Sequence, residues 1–239
     1  MRTFGAFLCI QRPCRKGVAM KKLDRSLTQA PECLGNYCHK THTWDNDFTG
    51  EDKKSVWIQL DLMQKGKCAY CESFLGRTRH IEHFRRKSQH QSLTFAWSNL
   101  LGCCGANTSC GHHKDLPGRG WPYQANDLID PSTEDPDHFF HFQTDGSIKL
   151  REGLNPLEEH RAKETLRVLN LDEDRGPLRR RRAKVVQLYF QLEPGIVQAL
   201  MDFEPADAKA YAQEELARIE DDELSAPLRH LFIDFVAAN

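Results

Sequence analysis

Five of the nine cysteines and five of the eleven histidines lie in the 47 residues from Cys68 to Lys114. Even spacing would place about two of each there, and clustered thiols and imidazoles at short intervals read as metal ligands rather than as a disulfide framework. Cys68-x2-Cys71 offers two thiolates from one tight turn. A second pair must combine Cys110 with Cys103 or Cys104, and the spacing does not choose between the two. Zinc takes four thiolates in a tetrahedron, and two knuckles on separate chain segments supply them. Bound zinc would contribute on the order of 10 kcal/mol to the folding of this Gly- and Asn-rich stretch.

A second constellation overlaps the first. His80-Ile81-Glu82-His83-Phe84 is followed by the basic run Arg85-Arg86-Lys87, then Asn99-Leu100-Leu101, then Cys110-Gly111-His112-His113-Lys114. Hydrolysis of a phosphodiester needs a base for water and a cation for the departing oxygen. A neutral imidazole suits the first task. A divalent ion held by carboxylate and imidazole suits the second. Arg85, Arg86 and Lys87 suit contact with a phosphate backbone. Single histidines are more often core or surface residues, so the ordered set, not any one member, carries this reading.

That order resembles the HNH (His-Me finger) endonucleases, whose zinc-stapled ββα-metal core spans a stretch of this length. Cys68-Ala69-Tyr70-Cys71-Glu72, Ile81-Glu82-His83-Phe84-Arg85 and Trp97-Ser98-Asn99-Leu100-Leu101 are similar to the PtuB-like nuclease subunits of Septu-type and retron-associated antiphage systems. Lys22-Leu23-Asp24-Arg25 and Leu169-Asn170-Leu171-Asp172 extend the likeness outward. The resemblance implies that His83 is the general base, that Glu82 is a ligand of a catalytic Mg2+ or Mn2+, and that Asn99 orients the loop after His83. It places the final metal ligand directly after the last zinc cysteine. That position is Gly111, so His112 or His113 must serve, with His113 slightly favoured and His80 a further candidate. Lys114 would stand near phosphate. The resemblance also implies DNA cleavage, with RNA as a further substrate class, in the cytoplasm. The implied partners are an ABC-type, PtuA-like ATPase and, in a retron setting, a reverse transcriptase with its non-coding RNA and DNA. The alternative is a catalytically inactive zinc-knuckle module that binds nucleic acid or protein. Gly111 speaks for it, and the intact Glu-His and Asn set speaks against it.

The remainder of the chain must hold these residues in place. With 239 residues, 28% charged and 39% hydrophobic, it can bury a core and is neither a disordered nor a membrane-spanning composition. No run approaches 18 apolar residues, and no G-x4-G-K-[S/T] loop occurs, so any ATP dependence needs another chain. The net charge of -1 hides an asymmetry: nine basic and four acidic residues from Arg161 to Lys184, nine acidic and two basic from Asp202 to Glu223. The acidic segment and the apolar stripe of the last helix are expected to be docking surfaces, and Arg179–Arg182 to face either acidic surface or nucleic acid. Cys33, Cys38, His39 and His42 have ligand types but no recognisable spacing.

The expected architecture is α+β, in three parts. Residues 1–54 form an extension and an arm, with 1–19 upstream of a second start at Met20 and outside the fold. Cys9 and Cys14 in that extension have no assigned role. Residues 55–125 form the zinc-stapled core, with a helix over Ser55–Lys65, strands near 77–84 and from Asn99, and a short helix at Cys110–Asp115. Residues 126–239 form a β-hairpin turning at Asp145-Gly146 and a mainly helical region, begun by the Asn155-Pro156 cap.

Overall fold

The computed structural model describes residues 20–238, so the apolar run Phe4–Ile10, Cys9 and Cys14 lie outside the described residues. Helix α1 spans Gly50–Gln64. It begins earlier than the apolar spacing predicts because Thr49 and Asp52 form a reciprocal capping box, each side chain taking the other's backbone N–H. It stops where Lys65 and Gly66 turn left-handed, at φ 52° and 68°. Val56, Leu60, Met63 and Gln64 face inward, while Ile58 and Leu62 are exposed. Trp57 is half-buried and packs against the same core.

Strands β1 (His80–His83) and β2 (Leu100–Cys103) are antiparallel, with His80 opposite Cys103 and His83 opposite Leu100. Helix α2 (Cys110–Asp115) follows. Gln64 joins α1 to β2 by exchanging both bonds with Gly102: its Oε1 accepts from Gly102 N–H at 2.7 Å and its Nε2 donates to the Gly102 carbonyl at 2.8 Å. A side chain at 102 would strike Trp57 and this amide.

The segment before α1, expected as an arm, is part of the main core. Met20, Leu23, Leu34, Trp44 and Phe48 are buried with the cysteines, β2 and the hairpin. Tyr37 stacks on Phe95 at 5.1 Å and Trp44 on Phe48 at 4.3 Å. Arg25 lies over Trp97 and donates to the carbonyls of Trp97 and Leu100, both at 3.0 Å. Polar composition hid this, because a few well-spaced aromatics are enough to bury a segment with no regular period.

Strands β3 (Phe140–Phe142) and β4 (Ile148–Leu150) form the hairpin. Gly146 has φ 81° and lies against the Arg179 carbonyl, a place no side chain could occupy. Helix α3 (Pro156–Leu169) has the Asn155–Glu158 capping box. Helices α4 (Pro177–Leu192), α5 (Ile196–Asp202), α6 (Pro205–Arg218) and α7 (Ala226–Ala238) follow. They build a smaller core from Val186, Tyr189, Ile196, Ala212, Ile219, Leu228 and Phe232. Among the described residues no helix is long and apolar enough to cross a membrane.

Two expected docking surfaces are used within the chain. The apolar stripe of α7 fills the smaller core through Leu228 and Phe232. Its His230 accepts from Phe142 N–H at 3.1 Å and pairs with Asp137 at 3.1 Å. In the acidic segment, Glu220 and Asp221 pair with Lys21 and Lys65, and Glu223 with Arg181. Arg179 and Arg182 of the arginine run likewise pair within the chain, while Arg180 and Arg181 are exposed. Arg179 pairs with Asp145 and Asp174, while the buried Arg182 donates to the carbonyls of Gly146 (2.7 Å) and Leu171 (2.9 Å) and pairs with Asp172.

Candidate active site

The turn after α1 and the segment joining β2 to α2 bring four sulfur atoms together. Cys68, Cys71, Cys104 and Cys110 have Sγ atoms that all lie within 4.8 Å of one another. Among the described residues this is the set of three or more potential ligands that converges so tightly, and it could hold a metal ion. Cys104, rather than Cys103, completes it. Cys103 is adjacent, with its sulfur 3.8 Å from that of Cys68, and it accepts the Gly111 N–H at 3.3 Å. Packed together, the thiols divide their protons: burial pushes Cys68 and the neighbouring sulfurs push Cys110 well above the ordinary range, while hydrogen bonds from the neighbouring sulfurs pull Cys104 far below it. A thiolate there is what a cation needs. Cys33 and Cys38 are not in this cluster.

Beside the cluster, β1 and α2 form one wall of a cleft of about 1010 Å³. Strand alternation puts His80 and Glu82 on the same face of β1, with His80 Nε2 3.2 Å from Glu82 Oε2. The His112 ring, from α2, stacks parallel on His80 with centroids 4.1 Å apart. Gly111 explains the arrangement. A Cβ at 111 would lie 2.3 Å from Glu82 Oε2 and 3.0 Å from His80 Nε2. The space that a ligand side chain would fill at this position is thus taken by the carboxylate and the imidazole.

Glu82 is buried, which works against its charge, but the Lys114 ammonium and His80 hold its carboxyl well below the usual range. His83 points to the other side of the strand. Its Nε2 lies 2.9 Å from the Thr94 carbonyl, and Trp44 packs edge-on against the ring at 4.6 Å. A carbonyl can only accept, so Nε2 carries the proton and Nδ1 keeps the lone pair. Burial pushes the His83 pKa down to about 4, so the ring is neutral at pH 7. Asn99 spans the loop between the strands: its Oδ1 accepts from Arg85 N–H at 2.7 Å, and its Nδ2 donates to the carbonyls of Arg85 and Leu93.

Not every candidate comes to the cleft. His113 turns to α3, with Nδ1 2.9 Å from the Val168 carbonyl, and does not line the cleft. It lies two residues, about 200° of helix, past Gly111, the position that meets Glu82, and so on the opposite side of a short helix. Lys114 is fully buried and paired with Glu82, so it is not a surface cation for phosphate. Arg85 bonds Asn126 instead of lining the cleft. Arg86, over Trp121, and Lys87, paired with Asp45, do line it. Sequence reading missed Lys53, Arg79 and Arg119 on the same rim, and Trp44 and Thr94 around His83. Lys53 and Arg119 form no ion pair among the described residues. The period-two signal in His80-x-Glu82 could have raised His80, named only as a further candidate, above His113 as the neighbour of Glu82. Nothing local marks Trp44, which is far from the motif in sequence.

No family model matches the chain. It is 31% identical over 166 residues to "Septu protein PtuB" of Bacillus mycoides (strain KBAB4), covering 57% of this chain and 55% of that protein. It is 30% identical over 146 residues to "Retron Vc95 putative HNH endonuclease" of Vibrio cholerae serotype O1 biovar El Tor, covering 57% of this chain and 66% of that protein. The chain thus spans between half and two thirds of the length of these relatives, one named for a Septu system and the other as a retron HNH endonuclease.

Proposed function

We propose, from this similarity and the cleft together, that the chain is a metal-dependent HNH endonuclease acting in antiphage defence. The carrying observation is the meeting of His80 Nε2 and Glu82 Oε2, 3.2 Å apart, over the bare backbone of Gly111. Two donors at right angles, each about 2.1 Å from one ion, stand about 3.0 Å apart. The carboxylate oxygen is the donor that suits Mg2+ or Mn2+, and the imidazole adds a softer nitrogen beside it. The proposed ligands are Glu82 and His80, with His112 beside them. A divalent ion held there would neutralise charge on the leaving oxygen. His83 takes the proton of the attacking water at Nδ1, because Thr94 fixes the tautomer and burial keeps the ring neutral. Asn99 holds the loop that follows His83. Lys53, Arg86, Lys87 and Arg119 offer positive charge to a phosphate backbone along the rim.

The tetrathiolate cluster is proposed to hold structural zinc, which fixes α2 against the strand pair. Gly111, which on sequence grounds favoured an inactive module, here supports activity, because it makes room for the two donors. DNA is the proposed substrate, with RNA as a further class. An ABC-type ATPase is the proposed partner, as is a retron reverse transcriptase with its RNA and DNA where one is present.

The ligand set is tested by cleavage of supercoiled plasmid in Mn2+ by wild type, His112→Ala and His113→Ala. Loss of cutting in His112→Ala with retention in His113→Ala supports the set. Loss confined to His113→Ala contradicts it.

A further inference from the structure

We propose that Lys114 is the positioning residue of the cleft, a single buried cation that fixes both the metal-binding carboxylate and the backbone carrying the base. The inference rests on the metal-site reading above. The Lys114 side chain has no exposed surface, and its Nζ lies 2.8 Å from Glu82 Oε1. Four further oxygens surround it: Asp115 Oδ1 and the Tyr123 hydroxyl at 3.0 Å, and the carbonyls of His83 at 3.1 Å and Phe84 at 3.4 Å. The Tyr123 hydroxyl in turn donates to Asp115 Oδ1 at 3.3 Å. An ammonium has three protons to share among these five oxygens, so it binds them as a group rather than one at a time.

Three consequences follow from that geometry. First, the ammonium forms an ion pair with Oε1 of Glu82, and Oε2 is the oxygen that faces His80 and the space above Gly111. Second, the His83 and Phe84 carbonyls mark the end of β1, where the chain leaves for the basic loop. The same cation that orients the carboxylate therefore sets the backbone of the base. Third, Lys114 is carried by α2, four residues after Cys110. The helix that the cysteine cluster anchors is in this way tied to the strand that carries the chemistry. The planar fork of a guanidinium directs its donors differently from a compact ammonium with three rotatable ones, so arginine is not expected to reproduce these five contacts.

The test is Mn2+ affinity, by calorimetry on zinc-loaded full-length protein, for wild type, Lys114→Gln, Lys114→Arg and Tyr123→Phe, with zinc content and Tm measured for each. Groups that orient a ligand typically change metal affinity by about 10- to 100-fold when removed. Lys114→Gln, which can still donate to the carbonyls, is expected to keep its zinc and lose Mn2+ affinity by roughly 10-fold or more. Lys114→Arg is expected not to restore it. Unchanged affinity in Lys114→Gln overturns the proposal while leaving the metal site standing. If Lys114→Gln does not fold, Tyr123→Phe decides. A fall of roughly 3-fold or more, at wild-type zinc content, supports the proposal, and wild-type affinity overturns it. Absence of any Mn2+ binding by zinc-loaded wild type overturns the metal-site reading itself, and this inference with it.

Discussion

Replacing Gly111 by alanine opposes a local preference to a site requirement. Position 111 is in the first turn of α2, where alanine favours the helix over glycine by about 1 kcal/mol. The new Cβ, however, would lie 2.3 Å from Glu82 Oε2 and 2.6 Å from its Cδ. Ordinary contact begins at 3.4 Å, so the carboxylate must retreat by about 1 Å. It has nowhere easy to go, because it is buried and held by Lys114 and His80. A misplacement of about 1 Å costs on the order of 100-fold in rate, or about 2.7 kcal/mol of barrier. If the buried pair with Lys114 is broken, stability falls by about 3–5 kcal/mol, more than the helix gains. The assay is initial-rate plasmid cleavage in Mn2+, with Tm and zinc content checked because Cys110 is adjacent. Gly111→Ala is expected to cut at least about 100-fold more slowly and to melt lower. Wild-type cutting with a raised Tm would refute the reasoning, since it would mean that Glu82 does not lie against residue 111.

Other perturbations separate scaffold from site. Stripping the cysteine cluster with a chelator should unfold the region around α2, since a structural zinc of this type contributes on the order of 10 kcal/mol; loss of α2 amide protection in hydrogen exchange would check it, and unchanged protection would contradict it. Arg182→Met strands Asp172 and two carbonyls in the interior. It should cost about 3–5 kcal/mol in denaturant unfolding while leaving cleavage well below the Tm unchanged. Burial lowers the His230 pKa from 6.5, against the opposing pull of Asp137. A folded value below the unfolded one means that this stability is present above pH 6.5 and is lost as pH falls below it. The Tm of wild type should therefore drop more steeply than that of His230→Gln between pH 7 and 5, and parallel curves would count against the assignment.

Much of the local structure was legible in the chain because local causes set it. The Asn155 cap, the Asp145-Gly146 turn and the α2 boundaries at Cys110 and Asp115 depend on neighbours close in sequence. Cysteine spacing indicated the cluster and left Cys103 and Cys104 open; the fold selects Cys104 by placing its sulfur with those of Cys68, Cys71 and Cys110. What escaped the sequence depends on distant contacts. Residues 20–54 lacked a period yet contribute Trp44 to the packing of His83, 39 positions away. Lys114 appeared as a surface cation because lysine usually is one. Its burial follows from Glu82, Asp115 and Tyr123 meeting at one point. His112 and His113 are indistinguishable by composition, and only the direction of α2 relative to β1 and α3 separates them.

The central claim is hydrolysis in this cleft with His83 as the base. It is tested most directly by plasmid nicking in Mn2+, comparing wild type with His83→Ala at matched zinc content. The account predicts cutting by wild type that disappears in His83→Ala. Equal cutting by both proteins would contradict it.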